Sequence, residues 1–254
     1  MLKTLSLALE VMKMFTKNKP TWGGRELAAE LDINHTKIYR ILETLEMHQF
    51  LIKNKETKKY SLGFAVWELG NSISENFNIK EIIHPILEKV SERTNESVFL
   101  TVLDGENGLT FDAVEARTTV RFSVSIGSRT PLHAGASYRA ILAHMPTEFI
   151  DNYLANKFIK YTDKTMVDPE VIREDLQMIL QKGYAVSEGE YTEDVIAVAI
   201  PIFNKEKVIG SLTVSGPKYR IEEKQILLFI SELSQADMDL KTAMEKYGSN
   251  FGLL

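Results

Sequence analysis

The chain has no cysteine among its 254 residues. Disulfides, thiolate nucleophiles and cysteine metal ligands are therefore excluded, and a cytoplasmic setting fits the composition without being required by it. Long apolar runs are missing too. Stretches such as "VIAVAIPIF" at 195–203 fall far short of the roughly 20 residues that cross a bilayer. The N-terminal segment contains apolar side chains, but Glu10 and Lys13 interrupt them and no small-residue cleavage site follows. It reads as part of the folded protein and not as a signal peptide. Low-complexity tracts and internal repeats are also absent. The expectation is a cytoplasmic globular chain of one large domain or two smaller ones.

Charge is present but unevenly spread. The net charge is −5, yet residues 1–62 hold eleven Lys/Arg against seven Asp/Glu, which leaves +4 there and −9 in the remainder. A basic end on an acidic body suits a nucleic-acid-binding segment attached to a larger module. Ordinary solvated surfaces vary by as much, so this asymmetry counts only together with pattern.

The pattern is helical at the basic end. Residues 3–16 read as a helix with Leu5, Ala8, Leu9, Met12 and Phe15 as its buried stripe, and "KNKPTWGG" breaks it. "RELAAEL" gives a short second helix burying Leu27, Ala28 and Leu31. In "INHTKIYRILETL", Asn34 is placed to cap a third helix whose Ile38, Ile41, Leu42 and Leu45 form one apolar stripe. Two short strands with a Lys-rich turn follow in "FLIKNKETKKYSL". Three helices and a hairpin within about sixty residues make a winged helix-turn-helix.

A recognition helix needs an apolar face to seat it and hydrogen-bonding side chains near its N-terminal end, where base edges come within reach. His35, Thr36 and Lys37 occupy the first turn of the third helix, and Arg40 lies one turn further along the outer face. Arginine can bridge two acceptors on guanine. Lys53, Lys55, Lys58 and Lys59 on the hairpin suit phosphate, which gives affinity without sequence information. Tyr39 suits either a phosphate contact or half-buried packing. Each of these residues alone fits an ordinary solvated face; their combination points to double-stranded DNA.

Beyond residue 62 the style changes. "GFAVWELGNSISENF" reads as a connecting helix with Phe64, Trp67 and Leu69 as its bulky residues. Strands are expected at 97–103, 109–115, 119–125, 184–188, 195–204 and 207–215. Helices are expected at 79–94, 135–144, 147–155, 169–182 and 222–246. A mostly antiparallel sheet flanked by helices accommodates them, an α+β arrangement. The domains are expected at 1–62, a linker helix at 63–78, and 79–254.

"HAGAS" precedes the helical run "YRAILA", so backbone N–H groups near Gly135 or Ala136 could meet a carboxylate, with Ser137 adding a hydroxyl. In "SLTVSG", Thr213 and Ser215 alternate with Leu212 and Val214, which puts both hydroxyls on one face. Close packing of a helix on a sheet explains the small residues equally well. Catalysis has little support. His133 and Ser137 are four apart, but the serine lacks a nucleophile-elbow frame. Histidines 35, 48, 84, 133 and 144 contain no pair at zinc-site helical spacing. No cofactor or metal is expected.

The residues also carry a resemblance. "RELAAELDINHTKIYRILETLEMHQFLIKNKETKKYSLG" resembles the N-terminal domain of IclR-type bacterial transcription regulators. "PLHAGASYRAILA" and "GYAVSEGEYTEDVIAVAIPIFNKEKVIGSLTVSGP" are similar to that family's two effector-domain signatures. The resemblance implies a winged helix-turn-helix, a linker helix and a GAF/PAS-like effector domain in a homodimer or homotetramer. It further implies binding to palindromic operators under the control of a small molecule, with no membrane association. Effector contacts are implied at Phe122, Ala136, Ser137, Ser187, Ala197, Thr213 and Ser215. A small organic acid is the expected ligand; the competing reading is a ligand-sensing or hydrolytic enzyme domain whose helix-turn-helix serves protein contacts. The chain departs from the family at Tyr138 and Arg139, where a Gly-Lys pair is frequent. It departs again at Asp194, where glycine is common, and at Ala197, where some relatives have cysteine.

Overall fold

Asn34 starts the third helix as its position suggests, its Oδ1 accepting a hydrogen bond from the Thr36 N–H at 2.8 Å. A computed structural model describes residues 2–16, 19–77 and 79–247, with the side chains of 73–77, 79, 80 and 247 outside that description. The chain parts between residues 77 and 78 into two units. The first contains α1 (Lys3–Lys13), β1 (Trp22–Gly23), α2 (Gly24–Glu30), α3 (His35–Met47), β2 (Leu51–Lys53), β3 (Lys59–Leu62) and α4 (Phe64–Phe77). Residue 78, the end of the expected linker, lies outside the described residues.

Ile38, Ile41 and Leu42 of α3 are buried against Val11, Phe15, Leu27, Ala28, Leu51 and Tyr60, with Leu45 partly buried beside them. A fully buried aliphatic side chain of this size contributes roughly 1.5–3 kcal/mol. The strands form a three-stranded antiparallel sheet in the order β1-β3-β2, so the expected hairpin gains a third strand from "WG". Trp22 is fixed there by its indole N–H, which donates to the Met14 carbonyl at 2.8 Å. The expected stripe of α1 needs correction. The helix ends at Lys13, and Val11 with Leu7, Ala8 and Met12 faces the core, whereas Leu5 and Leu9 point outward. Leu2, Leu5 and Leu9 thus form a second apolar face on α1.

In the second unit a single-turn π-helical segment, Ile79–Ile83, leads into α5 (His84–Thr94). Then come β4 (Ser97–Asp104), β5 (Asn107–Val114), β6 (Arg129–Pro131), α6 (Ala136–Leu142), α7 (Thr147–Leu154), α8 (Pro169–Lys182), β7 (Ala185–Glu188), β8 (Val195–Asn204), β9 (Lys207–Pro217) and α9 (Glu223–Tyr247). The strands make one antiparallel sheet ordered β6-β5-β4-β9-β8-β7. Alternation assigns its two faces. Val98, Leu100, Val198, Leu212 and Val214 pack with Leu87 and Val90 of α5 and Phe229, Leu233 and Leu240 of α9. Ala185 and Ala199 pack on the other side with Ala136, Tyr138 and Ile141 of α6 and Ile172 and Leu176 of α8.

The segment 119–125 is not a strand. It runs irregularly between β5 and β6, held by Arg220, whose guanidinium donates to the Val120 carbonyl at 3.0 Å and to Thr118 Oγ1 at 3.2 Å. Arg220 is itself clamped by both carboxylate oxygens of Glu96, at 2.5 and 2.7 Å. Val/Phe/Val alternation in this stretch therefore serves a wall and not a ladder.

Arg139 ties the second unit together. It is fully buried on α6, and its Nε donates to Asp175 of α8 at 2.6 Å. Nη1 and Nη2 meet the two carboxylate oxygens of Glu190, and further bonds reach the carbonyls of His133 at 3.4 Å and Val186 at 3.2 Å. The fork geometry of arginine suits this bidentate pairing. Removing the cation would leave Glu190, itself buried, without a partner. Arg139→Met is expected to lower unfolding free energy by about 3–5 kcal/mol in denaturant titrations. A loss below about 1 kcal/mol would mean that these contacts do not hold the unit.

Candidate functional site

Each unit presents one surface able to recognise something. In the first, α3 exposes His35, Thr36, Lys37 and Arg40 on the side opposite its buried stripe. The wing is shaped by Asn54, whose Oδ1 accepts from the Glu56 and Thr57 N–H groups at 2.9 and 2.8 Å. This turn leaves Lys55, Lys58 and Lys59 exposed around its tip. Lys53 differs. It is half-buried at the wing's base, its ammonium 5.1 Å from the Tyr60 ring centre. Tyr39 is half-buried too, its ring so close to Gly24 that a Cβ there would come within 2.8 Å of it. Packing is therefore the role its position describes.

In the second unit, all seven residues expected at an effector site lie on the wall of one cavity. β9 supplies Thr213 and Ser215, β8 supplies Ala197, β7 supplies Ser187, α6 supplies Ala136 and Ser137, and the irregular segment supplies Phe122. Strand parity explains the first of these: Thr213 and Ser215 face the cavity while Leu212 and Val214 enter the opposite core. Phe122 meets Phe99 edge to face at 5.7 Å. The helix after "HAGAS" is short, 136–142 and not 135–144, and begins after Gly135 at φ +103°.

The wall also includes residues not expected there, among them Phe99, Thr101, Thr110, Tyr191 and Thr192. Phe99 and Thr101 share the cavity parity of β4, and a threonine inside the apolar run "SVFLTVL" was the available signal. Glu190 is the single charged residue on the described wall, and Arg139 occupies both of its oxygens. The hydroxyls differ in availability. Ser215 donates to the Ile196 carbonyl at 3.0 Å, and Ser137 and Thr213 share a 2.7 Å bond. The hydroxyl of Ser187, a residue 7% exposed, is bonded to no other side chain or carbonyl among the described residues. On a scale where one water needs roughly 10–15 Å³, the free space is about 40 Å³. The site is small and hydroxyl-lined.

His133 does not reach this cavity. Its Nε2–H donates to the Ile159 carbonyl at 2.9 Å, so Nδ1 accepts from the Tyr153 hydroxyl at 3.1 Å. Ser137 is bonded elsewhere, and the two form no nucleophile–base pair. Among the described residues no group of three or more His, Asp or Glu is placed to hold a metal, and no helix is long and apolar enough to cross a membrane. Asp194 adopts a left-handed backbone, φ +57°, and its carbonyl accepts from Lys218 N–H at 2.7 Å. Aspartate tolerates this conformation better than most non-glycine residues, which accounts for its standing at a position where glycine is common.

A winged helix-turn-helix joined to an α+β unit with an internal cavity defines a class of DNA-binding transcriptional regulators. The chain belongs to the IclR family: residues 72–242 match the model of the bacterial transcriptional regulator IclR C-terminal domain, and residues 4–54 match the IclR helix-turn-helix domain. It is similar to the HTH-type transcriptional regulator KipR of Bacillus subtilis, with 29% identity over 94% of this chain and 95% of the relative. A crystal structure of an IclR transcriptional regulator from Alicyclobacillus acidocaldarius superposes with TM-score 0.85 at 26% identity, covering 93% of this chain and 96% of that one. An IclR homologue from Microbacterium hydrocarbonoxydans, complexed with 4-hydroxybenzoate, shares the fold at TM-score 0.82 and 22% identity, over 94% and 99% of the two chains. The chain is a regulator and not an enzyme; the hydrolytic alternative falls with this membership.

The buried histidines make stability depend on pH. Burial holds His133 below the ordinary imidazole value, opposed by the Ile159 carbonyl and reinforced by the Arg139 charge; burial lowers His144 as well. The unfolded chain, with imidazoles near 6.5, takes up protons first as the solution is acidified. The stabilisation is full above about pH 6.5 and is lost as pH falls from there toward the lowered folded values. His133→Gln should flatten the decline in Tm between pH 7.5 and pH 5.5 relative to the parent. An equally steep decline in the variant would remove His133 as a cause.

Proposed function

We propose that this regulator binds a palindromic operator as a homodimer, or a pair of homodimers, and that a small organic acid in the cavity changes its grip on DNA. The observation that carries the ligand half is the cavity itself: a wall rich in hydroxyls on which the Ser187 hydroxyl is left available. A few polar groups on a largely apolar, concave wall suit a ligand that makes hydrogen bonds. Its carboxylate would be held by hydroxyl and backbone donors, because the described wall carries no cationic side chain. The relative seen with 4-hydroxybenzoate is consistent with an acid in this fold.

For DNA, α3 enters the major groove with His35, Thr36, Lys37 and Arg40, while Lys55, Lys58 and Lys59 meet phosphate and Lys53 stays at the wing's base. Dimerisation is supported by the apolar side chains the first unit leaves outside, Leu2, Leu5 and Leu9 on α1 and Phe64, Trp67 and Leu69 on α4. A helix apolar on both sides calls for a second partner. Two linked heads gain affinity together, and a change in their spacing weakens both. Its work on DNA puts the protein in the bacterial cytoplasm.

Fluorescence anisotropy with operator-bearing DNA at several salt concentrations tests the DNA half. Log affinity should fall linearly with log salt at a slope near −0.9 per neutralised phosphate. Lys58→Ala should weaken all sequences alike and reduce the slope by about 1, and Arg40→Ala should cost roughly 1–3 kcal/mol of discrimination only. Parent-like binding by both variants would mean that another surface meets DNA. The ligand half is tested by a thermal-shift screen of small acids, where an acid at about 100 times its Kd adds roughly 2.7 kcal/mol. Ser187→Ala should shrink that shift more than Ser215→Ala, whose hydroxyl already serves Ile196; equal responses in all three proteins would place the acid elsewhere.

A further inference from the structure

Tyr138 is the bulkiest side chain that α6 puts against the cavity, and it has nowhere to go. It is 7% exposed, and its hydroxyl points toward the side chains of Thr130 and Thr110 on the neighbouring strands. Its ring fills a slot above Gly108 of β5. A Cβ at that glycine would fall 2.5 Å from the ring and 2.7 Å from the Thr101 methyl. On the other side, a Cβ at Gly135 would stand 3.8 Å from the same ring. The helix that carries it is locked at the next residue, because Arg139 is fully buried in its bonds to Glu190 and Asp175. Neither rotation of the side chain nor a shift of α6 is available at low cost.

We infer that Tyr138 sets the size limit of the cavity and confines its ligands to short-chain acids, excluding aromatic acids. This rests on reading the cavity as the effector site. The free space of about 40 Å³ holds the equivalent of a few waters, whereas a protein cavity that accepts benzene measures about 150 Å³. Truncating the phenol group adds space of the order of one aromatic ring, bounded by the hydroxyls of Thr101, Thr110 and Thr130. The β5 glycine and the α6 tyrosine therefore act as a matched pair: one makes the slot and the other fills it.

The experiment is calorimetric and thermal-shift binding of linear monocarboxylates and dicarboxylates of increasing length, benzoate and phenol, to the full-length parent, Tyr138→Phe, Tyr138→Leu and Tyr138→Ala. The parent and Tyr138→Phe should respond to the short acids and reject benzoate. Tyr138→Ala should bind benzoate at least about tenfold more tightly than the parent does, the scale of discrimination that hydrophobic volume gives. Phenol, which replaces the missing ring, should raise the midpoint of Tyr138→Ala and leave the parent unmoved. Should Tyr138→Ala not fold alone, recovery of its folding by phenol reads the same slot, and Tyr138→Leu, with a smaller opening, should extend the acid series. Benzoate binding to the parent as tightly as to the variants, or an unchanged length cut-off in the truncated variants, would overturn the inference. If no acid binds the parent while phenol binds Tyr138→Ala, the acid-effector reading fails and the size limit stands.

Discussion

A guanidinium removed from water must find its whole hydrogen-bonding capacity inside the protein. Arg139 does so with one carboxylate from α8, one from the turn after β7, and two backbone carbonyls. Those four groups come from three separate stretches of chain, and each must be in place for the others to be tolerable. Replacing such a cluster by well-packed apolar residues is often neutral or favourable for stability, so its worth here lies in position more than in energy. It fixes where α6 stands relative to the edge of the sheet. The cavity wall from Ala134 to Tyr138 inherits that placement, and so does Glu190, whose charge is cancelled before it can face the interior of the site.

The two units work with different physics. The exposed face of α3 and the wing tip carry cations at the end of long, solvated side chains, which is suited to a highly charged polymer and sensitive to salt. The cavity offers hydroxyls, small side chains and aromatic edges. Short-range hydrogen bonds and shape decide what enters it. The end of β7 carries an ionic cluster. Glu188 pairs with Lys164 and Lys218 at 2.7 and 2.5 Å, and these hydrogen bonds bring its carboxyl down to about 2. Those partners are exposed, so the pairs position more than they stabilise.

Local rules made much of this legible beforehand. The α3 stripe, the Asn34 cap and the hydroxyl parity of β9 follow from helix and strand periods that tertiary packing did not override. Element limits in 147–155, 169–182 and 195–204 also emerge within a residue or so. What stayed hidden depends on long-range partners. The stretch 119–125 alternates like a strand, but Arg220, about a hundred positions away, holds it off the sheet edge. Leu5 and Leu9 joined the expected core stripe because α1 has apolar residues on both sides, and period alone cannot rank two such faces. Arg139 reads as an ordinary polar residue of a short helix; its burial shows only when Glu190 and Asp175 arrive from elsewhere. Phe99 and Thr101 were visible in principle, since a hydroxyl in an apolar strand marks a face with a different neighbour.

The two-residue repeat of the central strands has one more effect. Along β9, Leu212 and Val214 belong to the body beneath α5 and α9, while Thr213 and Ser215 belong to the opposite face. Substitutions at 213 and 215 would retune the cavity face without disturbing the residues that pack beneath α5 and α9. Heredity in such a strand runs on two interleaved tracks, and a lineage can drift along one while selection holds the other still.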